Sequence, residues 1–560
     1  MFERNPAPAG TPRPLPALLQ LLWSESKLSQ RRLLTLSSVA GLSNALVVVV
    51  INAASSPDRS NAGRLAVFVA ACVVLGLYAY SQKLLMVATV VEVERVLHSI
   101  RVRVTDRVRR SELPALESIG RARLYETVNH DTMEISQATL VVAIGCQSAV
   151  LLLFASLYLA WLSVAALVLC VAGVALAAWV YFLNRGDLVV QMHATVARQN
   201  EFFDRLTHVL DGFKQVKLHA PRSRELFEHV SQTSHLVTTL KIATQEKYSE
   251  LLIFNQVASY ALVIGIGLAL PLLGSVEPDT LVKTTAAVSF LLSPVMSLFG
   301  AVEPFSRADA AAQRIADVEA VLASGSTPPL ESEDALRASF EHVAFRDVTF
   351  YYPSVDNGPA FSVGPIDLTF RRGETVFLVG GNGSGKSTLL LLLTGLYRPH
   401  SGRIEVDGVT VGGREPSHRS LFSTVFVDYH LFRRLYGLSH ASPEQVAGLL
   451  ERLQLHKKTK LVGRDFQNED LSTGQKKRLA LVVSLLEDRP IYVFDEWAAD
   501  QDVVYRRFFY EELLPELRER GKTVIAVTHD DRWYHWADRV IEMRDGQVYT
   551  QRSRAPEGAS

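Results

Sequence analysis

The sequence has little cysteine, no excess of charge of either sign and no N-terminal apolar segment of the secretory kind. Its three cysteines, Cys72, Cys146 and Cys170, lie inside apolar runs, which argues against a disulfide framework or a zinc site. Basic and acidic residues both number 58, so no basic face is indicated and no nucleic-acid partner is expected. Proline and arginine stand near the N-terminus where a signal peptide needs an apolar core, so no cleavable signal is expected.

Long apolar runs, by contrast, occupy much of the chain before residue 324. A helix needs about 20 mostly apolar residues to cross roughly 30 Å of bilayer hydrocarbon. Six segments meet this requirement, and the third directly adjoins the fourth. They are approximately residues 33–54, 65–91, 139–161, 162–183, 251–273 and 280–302. The sequence therefore predicts an all-α domain of six membrane spans over residues 33–324.

The loops between these spans differ in length and charge. The second and fourth, near 92–137 and 184–250, are long and polar with a helical pattern, and the second carries eight arginines. The positive-inside rule places both long loops, and with them both termini, in the cytoplasm. Residues 1–32 then form a cytoplasmic segment. Its amphipathic stretch at 15–30 is either a helix on the inner membrane surface or an ordinary first helix.

The pattern changes after the last apolar run. Residues 325–339 contain proline, serine and acidic residues and are interpreted as a linker. From 340 to 550, short segments rich in β-branched residues, typical of strands, alternate with helical segments. This pattern is typical of an α/β domain with a largely parallel sheet. Residues 551–560 are predicted to be a C-terminal tail. The predicted fold class is a multi-domain membrane protein, with an all-α six-helix domain followed by an α/β domain.

The stretch TVFLVGGNGSGKSTLLLLLTGL contains a complete phosphate-binding loop, or P-loop, between an apolar strand and a leucine-rich helix. Its glycines let backbone N–H groups turn toward phosphate, and the helix N-terminus adds its dipole. Lys386 is expected to reach the β- and γ-phosphates of ATP, and the hydroxyl of Ser387 to ligate Mg²⁺. The predicted ATP-binding residues of this loop are Gly380, Gly381, Asn382, Gly383, Ser384, Gly385, Lys386, Ser387 and Thr388.

A second apolar strand, IYVFDE at 491–496, ends in two acids. Acids after a strand either cap the following helix or serve a metal ion and a water molecule. Because the chain also carries a P-loop, the second interpretation is favoured. Asp495 would hold Mg²⁺ through water, and Glu496 would polarise the water that attacks ATP.

Three further motifs are LSTGQKKRLAL at 471–481, VTHDD at 527–531 and FYYP at 350–353. In this order with the P-loop and the acidic strand, they resemble the motifs of ATP-binding cassette (ABC) transporters. The resemblance implies that His529 is the switch histidine of the catalytic site and that Tyr352 stacks on adenine. It also implies a signature that contacts ATP held by an opposing cassette. The signature residues are Leu471, Ser472, Thr473, Gly474 and Gln475.

The resemblance also implies how the domains and chains of the protein are arranged. The six-span half resembles an exporter-type transmembrane domain, and the second half resembles a P-loop ABC ATPase. One cassette and one set of spans imply a half-transporter, in which two chains enclose two ATP molecules. A homodimer is the simpler prediction, and a paralogous partner is the alternative. The family places such a protein in the bacterial inner membrane, with its cassette in the cytoplasm.

Two positions depart from the general family pattern. Val427 stands where the Q-loop glutamine would contact Mg²⁺ and relay the state of the cassette, so Asp428 or water takes that role or coupling differs in detail. The string DEWAADQD at 495–502 has tryptophan where small residues usually follow the catalytic glutamate. Together with LSTGQKKRLAL and VFVDYHLF, it resembles the cyclic-peptide exporters of lipopeptides, pyoverdine-type siderophore precursors and lasso-type microcins. Asp502 would be the D-loop acid near the dimer interface, and Trp497 is expected to pack beneath that loop.

The expected function is therefore ATP-driven export of a peptide-derived compound. The alternatives are a siderophore importer, a lipid or drug exporter, and an ATP-binding regulator that does not transport. Segments 112–131 and 208–222 of the long loops are candidates for helices that couple the cassettes to the spans. The polar span residues Gln147, Asn255, Gln256, Tyr260 and Ser289 either line a cavity or bond neighbouring helices.

Overall fold

The computed structural model describes residues 16–25, 27–54, 60–273, 277–324, 339–352, 361–412, 416–468 and 470–553. The chain divides into two compact units. The first unit contains residues 1–105 and 122–319, and the second contains 106–121 and 320–560. Nearly all of the predicted linker and most of the predicted tail lie outside the described residues, as does the start of the N-terminal segment.

The described chain before the linker is helical apart from short turns. Its α-helices are α1 Ala17–Glu25, α2 Lys27–Ala54, α3 Asn61–Arg110, α4 Leu113–Ile119, α5 Arg121–Glu126, α6 Thr132–Leu162, α7 Val164–Asp211, α8 Phe213–Leu218, α9 Ala220–Leu273 and α10 Pro278–Ser324. A π-helical turn, Thr127–Asp131, joins α5 to α6. The amphipathic N-terminal stretch is thus helical at α1, which both interpretations of it require.

Five stretches of helix in the described chain are long and apolar enough to cross a membrane. They lie in α2, α3, the α5–α6 segment, α9 and α10. A further, shorter apolar segment, Val164–Val180, lies in α7. Only Ser163 separates α6 from α7, and its side chain accepts a hydrogen bond from Ala166 N at 3.3 Å to begin the new helix. These helices confirm an all-α region of apolar helices in which α6 directly adjoins α7 as predicted, while the count of six spans and the bounds of the domain stay predictions.

Packing within the first unit pairs α7 with α9 and α2 with α6. An apolar cluster that includes Val48, Leu159, Ile266 and Val288 joins five of the helices. A polar contact lies outside the predicted membrane spans, where Arg314 Nη2 donates to Asp131 Oδ1 at 2.6 Å. Asp131 is 1% exposed, so this bond anchors the π-helical turn to α10.

The second unit is built on two principal sheets. Its strands are β1 His342–Tyr351, β2 Ser362–Arg371, β3 Thr375–Val379, β4 Ser401–Val406, β5 Val409–Val411, β6 Phe422–Val425, β7 Leu461–Val462, β8 Asp465–Phe466, β9 Ile491–Asp495, β10 Thr523–Val527, β11 Arg539–Arg544 and β12 Gln547–Ser553. The antiparallel sheet has the order β2-β1-β4-β5, and the six-stranded sheet has the order β12-β11-β3-β10-β9-β6. β7 and β8 form a small hairpin. β12 extends past residue 550, where the sequence predicted the domain to end.

The centre of the six-stranded sheet is parallel and wholly buried. Every residue of β3, β9 and β10 is buried, which explains why these segments are continuous apolar runs rather than alternating ones. Helices cover the two faces, as α/β packing requires. The α-helices are α11 Lys386–Leu393, α12 Pro416–Arg419, α13 Pro443–Arg452, α14 Thr473–Glu487, α15 Val503–Arg507 and α16 Leu514–Glu519. Trp497–Asp500 and Asp531–Trp536 are 3₁₀ turns, and Phe508–Leu513 is π-helical.

Helix α4, from the first long loop, belongs to the second unit and contacts its core. Leu113 packs against the apolar cluster beneath the antiparallel sheet. Tyr397 donates its hydroxyl to Glu117 Oε2 at 2.8 Å. Arg419 binds Glu112 and also donates through Nη2 to Gly395 O at 2.7 Å. These contacts come from the loop segment that the sequence predicted to dock on the cassette.

Replacing Arg419 by alanine should weaken this junction. The variant loses bonds to a carboxylate and to a carbonyl at a partly buried site, so we expect a loss of about 1–3 kcal/mol in unfolding free energy. Thermal unfolding of the purified full-length protein measures it. The control is Arg403→Ala, which removes an exposed pair with Glu405 and should cost less than about 1 kcal/mol. Equal losses in the two variants would contradict the junction.

Candidate ATP-hydrolysis site

The P-loop connects β3 to α11 and depends on glycine at two close approaches. Gly380 has φ +144°, and a Cβ there would lie 2.2 Å from Met543 O. Gly385, at φ +98°, is the left-handed residue from which α11 starts. A side chain at either position would be strained or would displace neighbouring backbone. The glycine spacing read from the sequence is thus what the local backbone requires.

Lys386 folds back into this loop. Its Nζ donates to Gly380 O and to Gly381 O, each at 2.9 Å. Burial lowers the pKa of Lys386, and the carboxylates of Glu496 and Asp495 partly offset this effect. The ammonium group is therefore held beside the backbone that would surround a phosphate chain.

The remaining P-loop residues differ in their exposure to solvent. Gly381, Asn382 and Gly383 are exposed at the mouth of the loop, whereas Ser384 is buried. In the described part of the chain, Ser384 Oγ has no hydrogen-bond partner. A buried hydroxyl without a partner is costly, and a phosphate oxygen would satisfy it.

The two predicted Mg²⁺ ligands lie close together. Ser387 Oγ donates to Asp495 Oδ2 at 3.4 Å, and Asp495 is 4% exposed. Burial, and then the charge of Glu496, raises the pKa of Asp495, while the hydroxyl of Ser387 opposes the rise. Hydroxyl and carboxylate oxygens fit Mg²⁺, which commonly takes few protein ligands together with phosphate and water. Among the described residues, no group of three or more His, Cys, Asp or Glu side chains is placed to hold a metal ion.

Glu496 and His529 form a second pair in the site. Glu496 Oε1 lies 3.0 Å from His529 Nε2, and both side chains are partly exposed. Glu496 has a left-handed backbone, φ 51° and ψ 35°, which costs a residue with a Cβ about 1–2 kcal/mol. It makes no side-chain cap to the turn that follows, so the helix-capping interpretation of this acid is wrong.

Tyr352 lies beside the P-loop helix α11. Its hydroxyl is 2.9 Å from Thr388 Oγ1, and its ring meets Phe350 edge to face at 5.1 Å. Tyr397 approaches the same cluster. This gives an aromatic surface beside the P-loop of the kind that can stack on a nucleotide base.

The signature residues are connected to the turn after β9. Ser472 and Gln475 form a reciprocal capping box that begins α14. Gln501 Nε2 donates to Gly474 O at 3.2 Å, and a Cβ at Gly474 would lie 2.9 Å from Asp500 O. Leu471 is buried, while Ser472 and Thr473 are exposed.

Trp497 is the distinctive residue of the string that follows Asp495 and Glu496. It is 1% exposed, stacks on Phe509 at 4.9 Å and donates Nε1–H to Lys477 O at 2.9 Å. Asp502 caps α15 by accepting from Val504 N and Tyr505 N at 3.0 and 3.1 Å. The tryptophan therefore packs beneath this loop as predicted, and the capping interpretation of acids here applies to Asp502.

Val427 is half exposed in the loop after β6. Two residues later, Tyr429 donates its hydroxyl to Thr473 O at 3.4 Å. Burial, and then the charge of Asp500, raises the pKa of Tyr429. Sequence reasoning did not identify Tyr429, Lys477 or Gln501, because each gains its partner only when distant segments pack together.

Known proteins match both the second unit and the whole chain. A family model described as "ABC transporter" matches residues 363–499. The chain is also 32% identical over 565 residues to the ATP-binding protein SyrD of Pseudomonas syringae pv. syringae, covering 97% of each sequence. The chain belongs to the ABC transporter family. This ABC transporter is a membrane-integral protein that binds ATP and couples its hydrolysis to transport, which sets aside the non-transporting regulator.

Two further relatives match part of the transporter. The probable syringafactin export ATP-binding/permease protein SyfD of Pseudomonas syringae pv. syringae strain B728a is 34% identical over 200 residues, 33% of this chain and 30% of that protein. The ATP-dependent lipid A-core flippase of Chromobacterium violaceum is 30% identical over 397 residues, 65% of this chain and 64% of the flippase. The matches to SyrD and SyfD confirm the resemblance to the cyclic-peptide exporter group.

Replacing Trp497 by phenylalanine should destabilise the transporter by about 1–2 kcal/mol, because the buried carbonyl of Lys477 loses its indole donor while the ring stack is kept. Thermal unfolding of the full-length protein measures the change. The matched control is Trp536→Phe, since Trp536 Nε1 has no hydrogen-bond partner among the described residues. That control should be nearly neutral. A neutral Trp497→Phe would contradict the structural role assigned to the indole.

Proposed function

We propose that this ABC transporter exports a peptide-derived compound, namely a cyclic peptide, a lipopeptide or a siderophore precursor, from the cytoplasm across the bacterial inner membrane. The observation that carries the proposal is the Glu496–His529 pair beside the P-loop, in a chain related to SyrD over 97% of its length. SyfD has export of syringafactin in its name, which supports the outward direction over siderophore import.

In the proposed hydrolysis of ATP, each side chain of the site has one role. Glu496 accepts a proton from the attacking water as general base, and His529 holds that carboxylate and contacts the γ-phosphate. Lys386 exchanges its loop carbonyls for phosphate oxygens when ATP binds. Ser387 and Asp495 would hold Mg²⁺, which supplies positive charge against the phosphates. Tyr352 stacks on adenine.

The working form is proposed to be a homodimer. One chain supplies one P-loop and one signature, and Ser472 and Thr473 are exposed at the N-terminus of α14, where a second chain could reach them. ATP bound by one cassette would then contact the signature of the other, including Gly474 and Gln475. Asp502 would lie near that interface. Both termini and both cassettes face the cytoplasm in this arrangement.

The proposed substrate class fits the polar groups on α9. Gln256 Nε2 donates to Tyr260 Oη at 2.7 Å, and both side chains are exposed. An amide and a phenol can bond peptide groups without selecting a charge. Gln147 and Asn255 are buried and are better explained by packing, while the exposed Ser289 donates its hydroxyl to Thr285 O within its own helix.

A lipid is the second candidate cargo, because the lipid A-core flippase matches 65% of the chain. Comparing ATP hydrolysis in nanodiscs with added lipopeptides and with added lipids separates the two. Stimulation by lipid alone would favour the second candidate. Stimulation by peptide-derived compounds alone would favour the first.

Replacing Glu496 by glutamine should stop export while ATP still binds. Loss of a general base lowers the rate of hydrolysis by about 10²–10⁴-fold, and the closed dimer should retain ATP. Mass spectrometry of medium, periplasm and cytoplasm is the measurement. The expected result is a peptide that disappears outside and accumulates in the cytoplasm, and Glu519→Gln, an exposed acid, is the control. Normal ATP turnover in Glu496→Gln would refute the role of Glu496 as general base. A compound that fails to enter the cytoplasm of that variant would refute the outward direction of transport.

A further inference from the structure

Lys477 lies in the second turn of α14, and its buried charge has no role in the chemistry proposed above. Only 2% of the residue is exposed. Nζ donates to Glu496 O at 2.9 Å and lies 2.7 Å from Asp500 Oδ2. A buried ammonium group is costly unless it is paired and hydrogen-bonded. Its two partners, both in the segment that follows β9, are what make this position tolerable.

The contacts between α14 and this segment are reciprocal. The side chain of Lys477 donates to the carbonyl of Glu496, while the indole of Trp497 donates to the carbonyl of Lys477 at 2.9 Å. Four residues further on, Gln501 donates to Gly474 O at 3.2 Å. The turn 496–501 is thus fastened along the start of α14 by hydrogen bonds in both directions.

The carbonyl that Lys477 holds belongs to the residue that carries the proposed general base. Glu496 is in the left-handed region, and its carboxylate reaches His529 Nε2 at 3.0 Å. Without Lys477, that carbonyl keeps only the longer hydrogen bond from Ala499 N at 3.3 Å, so the peptide is less restrained against rotation toward the more common right-handed or extended backbone. The rotation would swing the carboxylate away from His529.

We propose that Lys477 is a positioning residue for catalysis, which fixes the backbone of Glu496 and so aims its carboxylate at the attacking water. Lys477 acts through the peptide and does not touch the reacting atoms. The inference rests on the base role proposed for Glu496. A purely structural ammonium is the competing explanation, in which Lys477 only holds α14 against the neighbouring turn.

The geometry allows the two explanations to be separated. Asp500 is half exposed, so water can solvate its carboxylate when the ammonium is removed. Replacing Lys477 by methionine also removes the buried charge itself rather than leaving one unpaired, which is the milder kind of change. The variant is therefore expected to fold and to bind ATP.

The test is ATP hydrolysis by the full-length transporter in nanodiscs, with ATP binding and thermal unfolding measured in parallel. For Lys477→Met we expect kcat to fall by about 10- to 100-fold, because a misplaced catalytic group costs that much, with KM changed by less than about threefold. Lys476→Met, an exposed neighbour on the same helix, is the control and should keep kcat within about twofold. A kcat of Lys477→Met near the wild-type value, or a loss explained by weaker ATP binding alone, overturns the proposal.

A double-variant cycle separates this inference from the base role. If Lys477 acts only through Glu496, adding Lys477→Met to Glu496→Gln should lower the residual rate by less than about twofold. Equal fold-losses in both backgrounds overturn the positioning role and leave the base intact. Near-normal turnover of Glu496→Gln alone overturns the base. If Lys477→Met does not fold, Lys477→Gln is measured by the same criteria.

Discussion

The parallel register of β3, β10 and β9 is the constraint on which the candidate site depends. Val527 of β10 pairs with Leu378 of β3 on one side and with Asp495 of β9 on the other. Parallel strands end at the same edge of a sheet, so the P-loop, the acidic turn and the His529 loop leave the sheet together. A shift of β9 by one residue would turn Asp495 to the opposite face. The buried apolar strands prevent such a shift, because it would expose their side chains to the wrong face. The packing of the core therefore fixes where the side chains of the candidate site lie.

The loops at this edge obtain left-handed backbone in two ways. In the P-loop, Gly380 and Gly385 adopt positive φ without a side-chain penalty. After β9, Glu496 adopts it with a side chain that is the proposed general base, so the strain must be offset by contacts. Its carbonyl accepts hydrogen bonds from Ala499 N at 3.3 Å and from Lys477 Nζ at 2.9 Å. A buried lysine and a strained glutamate are each unfavourable alone and are stabilised by the same hydrogen bond.

The sequence predicted those parts of the site whose chemistry lies within one short segment. The P-loop spacing, the acids that end IYVFDE and the membrane segments could each be recognised locally, because a motif or a hydropathy run is contiguous. Glu112 and Arg419 could not be paired in this way, since 307 positions separate them. Lys477 lies only 19 positions from Glu496, but nothing in LSTGQKKRLAL distinguishes it from the exposed Lys476. Acids near residue 500 were ambiguous for the same reason, and only packing separates Asp502, which caps α15, from Glu496, whose carboxylate meets His529 instead.

The same helix, α14, carries at its start the residues predicted to meet ATP of the opposing cassette and, one turn later, the lysine that holds Glu496 of its own. A helix is stiff over one turn because its backbone hydrogen bonds are internal. A force that moves Ser472 or Gly474 therefore moves Lys477, and with it the peptide of Glu496. Trp497 strengthens this link, because its ring is stacked on Phe509 in the core while its N–H is bonded to the helix. A small residue at 497 would remove the ring stack and the indole hydrogen bond and leave the turn joined to the helix by the Lys477 and Gln501 bonds alone, so the bulky side chain reinforces the position of the lysine at 477.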